Sequence, residues 1–198
     1  MSSNTSSSSS ERRDAAENRQ RILETAQKLF DRYGVEQVSM NQIAREAGVG
    51  PGTLYRRYRN KSELCFDLIK DNFIAFLKDV AYYLDQNQAI PPNQRLREII
   101  RLFIDFRERK LQLFAGVEES LPTHSHNFLP SDNLFNELHQ HFIDLFNEIN
   151  KAEHTHFNSV FKADMLINAL GGEAYSFQRE VRSYSPDDIL EQICKTFL

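Results

Sequence analysis

Residues 38–64 have the sequence VSMNQIAREAGVGPGTLYRRYRNKSEL, and the organisation of the whole chain follows from this stretch. Ser39, with Gln42 three residues later, has the spacing of a capping box, which predicts the start of a helix. Gly48 predicts its end, because glycine adopts the left-handed conformation of a helix C-cap at little cost. Pro51 fits the first turn of a second helix, where its missing N–H is not needed. The stretch therefore predicts a helix-turn-helix.

The outer face of the second helix has the composition of a DNA-binding surface. Leu54 and Tyr58 are four residues apart and can both face the partner helix. Between residues 47 and 62 the chain carries four basic residues and no acidic one. Recognition helices place such residues against base edges and phosphates. A solvated basic face on a core helix pair is the alternative, but the caps, the turn and the charge together favour DNA binding.

The same run closely resembles the DNA-binding domain of the tetracycline-repressor (TetR) family. The order, the spacing and the turn residues match from the helix containing Ile22 to the start of the helix after Asn60, including the GTLY motif at residues 52–55. Arg57 and Arg59 depart from the family, which often has histidine and proline there, and both add positive charge. The resemblance implies phosphate contacts by Ser39, Gly52, Tyr55 and Lys61, and base contacts by Thr53, Arg56 and Arg57.

Composition and periodicity predict a tail and two helical domains. Residues 1–13 begin with the polar, low-complexity run MSSNTSSSSS, which predicts a disordered tail. Residues 14–61 form the predicted helix-turn-helix domain of three helices, and residues 62–198 form a larger helical domain, for which the TetR resemblance implies ligand binding and dimerisation. The predicted fold class is all-α with about nine helices in all. In the larger domain the predicted helices are 60–86, 93–109, 110–121, 132–151, 157–182 and 186–197, with a loop at 122–130.

Charge is distributed unevenly along the chain. Residues 11–61 contain 11 Lys+Arg and 7 Asp+Glu, a net charge of +4, whereas residues 62–198 contain 13 and 21, a net charge of −8. The overall charge of −4 therefore hides a basic head on an acidic body. This asymmetry is consistent with DNA binding at one end of the molecule.

Other features of the sequence limit the classes of function. Cys65 and Cys194 lie far apart without metal-ligand spacing, which favours a reducing cytoplasm. No run approaches the length of a membrane span, and the N-terminus lacks the order of a signal peptide. The sequence contains no nucleophile elbow, phosphate loop or metal triad. We therefore expect a soluble cytoplasmic protein that is not an enzyme and needs no metal or cofactor.

Aromatic residues are concentrated in the larger domain. Fourteen of the fifteen phenylalanines follow residue 61. Filling the core of a helical domain would explain any single one of them. For the domain, the TetR resemblance implies a ligand pocket, and no buried charge stands out, so a largely apolar effector is expected. The candidate lining residues are Phe73, Phe76, Phe103, Phe106, Phe114, Phe142 and Phe146.

The six histidines form three His-x-His pairs. Residues two apart on a helix point away from each other, so the pair His139/His141, inside a predicted helix, cannot chelate one ion. The pairs His124/His126 and His154/His156 lie in or near loops, where zinc binding is an alternative to solvated or hydrogen-bonding histidines.

The last two predicted helices carry more apolar residues than the edge of a domain needs, and Gly171 and Gly172 allow a kink or close helix approach. By the TetR resemblance they form a four-helix dimer interface. A dimer would also place two recognition helices on half-sites about 34 Å apart. The interface candidates are Leu166, Leu170, Ala174, Phe177, Ile189 and Ile193.

These observations predict a DNA-binding transcriptional regulator. The expected form is a homodimeric repressor that leaves a palindromic operator in double-stranded DNA when a small, largely apolar ligand binds the C-terminal domain. The alternative is a DNA-binding regulator that is controlled by a protein partner or a metal ion and has no small-molecule pocket. A cavity of several hundred Å³ in the body would favour the ligand over this alternative.

Overall fold

The computed structural model describes residues 5–118 and 133–198, with side chains except those of 5–12, 111–112, 114–118 and 133–135. Within these ranges the chain forms nine α-helices and one π-helical segment and no strand, so the all-α prediction is confirmed. In chain order they are α1 Thr5–Tyr33, α2 Met40–Glu46, α3 Pro51–Arg57, α4 Lys61–Gln86, α5 Pro92–Glu118, α6 Asn133–Glu153, α7 Ser159–Leu170, α8 Gly172–Ser176, the π-helical segment Phe177–Val181, and α9 Pro186–Phe197. None of the described helices is long and apolar enough to cross a membrane.

Some helix boundaries differ from the sequence prediction. Helix α1 begins at Thr5 and not at Asp14, and α5 continues without the break predicted between residues 109 and 110. The run around that point, RERKLQLF, contains neither glycine nor proline, so nothing interrupts the backbone hydrogen bonds. The loop predicted at residues 122–130 lies outside the described residues.

The predicted helix 157–182 consists of three segments. Helix α7 ends at Leu170, and the next residue, Gly171, has an extended backbone with φ −67° and ψ 163°. A Cβ at Gly171 would lie 3.0 Å from the carbonyl oxygen of Asn168, so a larger residue would crowd the preceding turn. Helix α8 starts immediately afterwards and continues into the π-helical segment. The Gly171–Gly172 pair therefore marks a break, as its sequence allowed.

The chain divides into two compact units. The first contains the residues up to Lys70 together with the segment that begins at Leu111, and the second contains Asp71–Lys110 and residues 133–198. The division falls within α4, whereas the sequence prediction placed a domain boundary after residue 61. In the first unit α1 packs on α2 and α2 packs on α3. Its fully buried side chains include Ile22, Ala26, Ile43, Ala44, Leu54 and Leu64.

The second unit is a helical body in which α6 packs on α7, and α7 packs on α8 and α9. Its core contains Phe142, Phe146, Leu166, Leu170 and Tyr175, all buried. Two ion pairs join helices that are distant in sequence: Arg95 of α5 with Glu148 of α6, and Arg97 of α5 with Glu191 of α9.

Helix α7 has a side-chain N-cap that provides a test of the fold. The side-chain oxygen of Asn158 accepts a hydrogen bond of 3.0 Å from the backbone N–H of Phe161. We expect Asn158→Ala to lower the free energy of unfolding by about 1 kcal/mol, because this N–H loses its partner. Urea denaturation measures the change. The matched control is Asn168→Ala, at an exposed asparagine of the same helix; equal midpoints for the two variants would contradict the role of the cap.

Candidate nucleic-acid interface

Helix α2 begins and ends where its sequence predicts. The Ser39 hydroxyl accepts a hydrogen bond of 3.2 Å from the backbone N–H of Gln42, which caps the helix. The Gln42 side chain does not return this bond and instead lies 3.4 Å from a carboxylate oxygen of Glu46. After the helix, Gly48 adopts φ +65°, a conformation that side-chain-bearing residues rarely adopt. This glycine sets the tight turn between α2 and α3.

Helix α3 separates a buried side from an exposed one. Gly50 precedes the helix, Pro51 occupies its first turn, and Leu54 is fully buried. On the other side the structure places the predicted DNA-contacting residues, of which Thr53 is half-buried and the others are exposed: Gly52, Tyr55, Arg56 and Arg57. The helix therefore presents two guanidinium groups and a phenol to solvent, which are groups that can contact phosphates and base edges.

Lys61 has an internal role at the start of α4. Its ammonium donates to the backbone carbonyl oxygens of Val35 at 2.6 Å and Glu36 at 3.2 Å. These bonds tie α4 to the loop after α1, a contact that the sequence did not indicate. An ammonium has three donors, so a phosphate contact by the third is compatible with both bonds.

A hydrogen-bonded network beneath the interface joins three helices, and sequence reasoning missed it. The Tyr58 hydroxyl donates to Asp67 Oδ2 at 2.6 Å. Arg19 of α1 donates to both oxygens of the same carboxylate, from Nε at 2.9 Å and from a terminal nitrogen at 2.7 Å. Residues 19 and 67 are 48 positions apart, so no local pattern could have revealed this pair.

The network alters the acidity of its members. Burial alone would raise the pKa of Asp67, but the hydrogen bonds from Arg19 and Tyr58 and the charge of Arg19 outweigh it, so the pKa lies below its usual value. Burial raises the pKa of the Tyr58 phenol, and its bond to Asp67 raises it further. At neutral pH the carboxylate is therefore ionised and the phenol is a donor.

Four of the predicted ligand-lining phenylalanines lie together in the second unit. Phe73 and Phe76 of α4 contact Phe103 and Phe106 of α5, with ring centroids 5.2–5.8 Å apart. All four are buried. We call these four residues the aromatic cluster. The rings are in mutual contact, so a ligand among them would require side chains to move.

Two further candidates lie on α6, outside that cluster. Phe142 and Phe146 of α6 are fully buried, and the Phe146 ring contacts Phe157 edge-on, with centroids 5.8 Å apart. The side chain of Phe114 lies outside the described residues.

Two open grooves lie on the second unit, and neither is lined by a predicted phenylalanine. The first has a volume of about 450 Å³ and is lined by Asp85, Arg95, His141 and Glu148 among others. Its charged lining does not match an apolar effector. The second has a volume of about 580 Å³, and its lining includes Phe157.

The described histidines occupy three different places in the second unit. His139 Nε2 is 2.8 Å from a carboxylate oxygen of Asp164, whereas His141 lines the first groove. His154 and His156 line the second groove. Within the described ranges no three His, Cys, Asp or Glu side chains are placed to hold one ion. The pair His124/His126 falls outside those ranges.

The predicted interface residues occupy two different environments. Leu166, Leu170, Ile189 and Ile193 are buried inside the protomer itself, so they are not available to a partner. Ala174 and Phe177 are exposed. Phe177 is one of six large apolar side chains on α7 and the segments after it that remain 40–64% exposed. We call this set the exposed apolar face: Val160, Phe161, Met165, Phe177, Val181 and Tyr184.

Comparison with protein families identifies the first unit. The family described as "Bacterial regulatory proteins, tetR family" matches residues 22–68. The helix-turn-helix-type transcriptional regulator SAR2658 of Staphylococcus aureus strain MRSA252 is 37% identical over 177 residues, covering 88% of this chain and 89% of the relative. The regulator SAUSA300_2515 of S. aureus strain USA300 has the same identity and coverage.

Solved structures have the same fold over both units. FadR of Thermus thermophilus, a TetR-family repressor solved with lauroyl-CoA, has a TM-score of 0.67 at 18% identity and covers 90% of this chain and 92% of its own. FadR of Bacillus subtilis, solved with stearoyl-CoA, has a TM-score of 0.58 at 13% identity and covers 90% and 96%. The SmeT–triclosan complex has a TM-score of 0.58 at 17% identity and covers 91% of each chain. At these identities the likeness concerns the fold.

Proposed function

The chain belongs to the TetR family of DNA-binding transcriptional regulators, and we propose that it is a homodimeric repressor released from its operator by a small, largely apolar effector. The observation that carries the DNA-binding part is α3, with its buried Leu54 and its exposed Tyr55, Arg56 and Arg57. Because chromosomal or plasmid DNA is the target, this function places the protein in the cytoplasm.

In this proposal each protomer contributes one recognition helix. Two copies related by a two-fold axis would contact half-sites about 34 Å apart, which implies a palindromic operator. Arg56, Arg57 and Thr53 contact bases, whereas Ser39 and Gly52 contact phosphates. Tyr55 and Lys61 add further phosphate contacts. The exposed apolar face holds the dimer in this proposal, since six large apolar side chains of α7 and the segments after it are left in solvent.

The proposed effector binds in the body at the aromatic cluster. Buried aromatic rings from two helices offer the surroundings that an alkyl chain or an aryl group prefers. Proteins of the same fold were solved with lauroyl-CoA, stearoyl-CoA and triclosan, which share a large apolar part. These three compounds are therefore the first probes for this chain.

Helix α4 is the proposed link between effector and DNA. It contains Lys61 at the edge of the DNA-binding unit and two residues of the aromatic cluster, Phe73 and Phe76. Separation of the rings by an effector would change the tilt of α4 and thereby the distance between the two heads of the dimer. Equal head separations in effector-bound and DNA-bound crystals would contradict this mechanism.

A second candidate is control by a protein partner or a metal ion. The observation in its favour is the close contact of the aromatic rings, since a filled core leaves no room for a ligand unless side chains move. The two candidates differ in their response to small apolar molecules.

The effector prediction is tested with DNA bearing the chain's own promoter. We expect at least one of lauroyl-CoA, stearoyl-CoA and triclosan to weaken DNA binding by about tenfold or more at saturation, which corresponds to a coupling free energy of at least about 1.4 kcal/mol. Fluorescence anisotropy of labelled DNA measures the affinity. Phe76→Leu should raise the effector concentration needed for release without changing DNA affinity in its absence. The matched control is Tyr82→Leu, at an aromatic residue of α4 that is 70% exposed.

Two results would contradict the prediction. Release at the same effector concentration in wild type and Phe76→Leu would place the effector elsewhere. Intact DNA binding with no response to any probe would favour control by a partner or an ion.

A further inference from the structure

The hydrogen-bonded network of Tyr58, Asp67 and Arg19 lies at the C-terminal end of the recognition helix α3, but none of its members is a predicted DNA contact. Tyr58 is the C-cap of α3, and its backbone N–H donates to the carbonyl oxygen of Leu54 at 2.9 Å. Its side chain is only 4% exposed, so it cannot reach DNA. We propose that Asp67 is a positioning residue, which fixes the orientation of the recognition helix by holding the Tyr58 hydroxyl.

Helix α3 depends on contacts outside itself for its orientation. It has seven residues, about two turns, and a helix of this length is not stable alone in water. Leu54 and Tyr58 are the buried side chains that anchor it. Apolar packing of Leu54 has no preferred direction, whereas a hydrogen bond to a carboxylate does. The bond from the Tyr58 hydroxyl to Asp67 is therefore a directional contact at the end of α3.

Asp67 can hold Tyr58 in place because it is itself fixed. Both of its oxygens accept hydrogen bonds from Arg19, and the side chains of this pair are 26% and 24% exposed. The paired geometry of a guanidinium and a carboxylate restricts the rotation of both groups. The Asp67 carboxylate of α4 thus connects α1 to the end of α3 through hydrogen bonds from Arg19 and Tyr58.

Because Asp67 is charged, the proposal can be tested by whether its neutralisation raises or lowers the affinity for DNA. A carboxylate in the DNA-binding unit repels phosphate, so its neutralisation by simple electrostatics should strengthen DNA binding. If Asp67 positions α3, neutralisation should instead weaken binding to the operator. The two explanations of the residue therefore predict opposite changes.

The experiment compares two kinds of DNA. The operator is first selected from a random duplex library with the wild-type protein, and affinities for it and for random duplex of equal length are then measured at one salt concentration. We expect Tyr58→Phe and Asp67→Asn each to lose about tenfold in operator affinity, since each removes or weakens a hydrogen bond to a charged group. Affinity for random duplex should not fall, because the phosphate-contacting residues are unchanged.

Matched controls separate positioning from charge and from folding. Glu46→Gln removes one exposed negative charge from α2, and Tyr33→Phe removes one hydroxyl that is not buried. We expect both to retain the ratio of operator to random affinity. Partial unfolding would reduce both affinities equally and so leave this ratio unchanged. The Tyr58→Phe/Asp67→Asn double variant should lose little more than the single variants, because both act on one bond.

The ratio of operator affinity to random-duplex affinity can also contradict the proposal. An unchanged ratio in Tyr58→Phe and Asp67→Asn would overturn it, as would tighter operator binding by Asp67→Asn.

Discussion

Replacement of both Arg56 and Arg57 by alanine is expected to reduce affinity for the operator about a thousandfold. Both side chains are exposed on α3, where they can contact bases or phosphates. A dimer loses four arginines, and about 1 kcal/mol for each gives about 4 kcal/mol, or about three orders of magnitude. Neither side chain is part of the core, so the variant should still fold.

Measurement of DNA affinity over a series of salt concentrations gives the size of this loss and shows how much of it comes from phosphate contacts. For each phosphate contact that disappears, the slope of log affinity against log salt should become shallower by about 0.9. The control variant is Lys28→Ala/Arg32→Ala, which removes the same charge from exposed positions on α1. A similar loss in the control would mean that net charge, and not α3, accounts for binding. Full affinity in the Arg56→Ala/Arg57→Ala variant would exclude α3 as the recognition helix.

The DNA-binding unit could be predicted from sequence because its signals are local. Ser39 predicted the start of α2, and Gly48 predicted its end, as the N-cap bond and the positive φ show. Pro51 predicted the first turn of α3. Each of these residues acts on the backbone within a few positions, so the pattern along the chain contains the information.

Contacts between distant residues were not predictable in this way. Arg19 and Asp67 are 48 positions apart, and their pairing depends on how α1 and α4 pack. The bond from Lys61 to the carbonyl of Val35 is of the same kind, and the TetR resemblance suggested only a phosphate contact there. A charged residue has a recognisable type in the sequence, but its partner is set by the fold.

The interface candidates illustrate a third limit. Helix α7 has apolar residues on more than one side, with Leu166 and Leu170 buried and Phe161 and Met165 exposed. Periodicity identifies an apolar stripe but does not say which stripe meets the protomer's own core. Because Leu166 and Leu170 are buried, the proposed interface uses the exposed side chains of α7 instead, such as Phe161 and Met165.

Disruption of the exposed apolar face is expected to have the other large effect. We expect Phe161→Glu, at a side chain that is 60% exposed, to convert the dimer to a monomer. A two-fold axis duplicates the new charge, and two unpaired carboxylates in an apolar interface cost several kcal/mol, which weakens association more than a hundredfold. Sedimentation equilibrium measures the mass directly. Operator affinity should fall in parallel, because a monomer contacts only one half-site.

Tyr82→Glu is the matched control for this prediction. It introduces the same charge in place of an aromatic residue that is 70% exposed, but on α4 and outside the exposed apolar face. Its mass and its operator affinity should equal those of the wild type. A Phe161→Glu protein that stays dimeric would place the interface elsewhere on the body. Phe161 is already in solvent, so the variant protomer should still fold. The unfolding midpoint of a monomer is independent of protein concentration, whereas that of a wild-type dimer rises with concentration. This difference links the loss of operator binding to the loss of the partner and not to damage within the protomer.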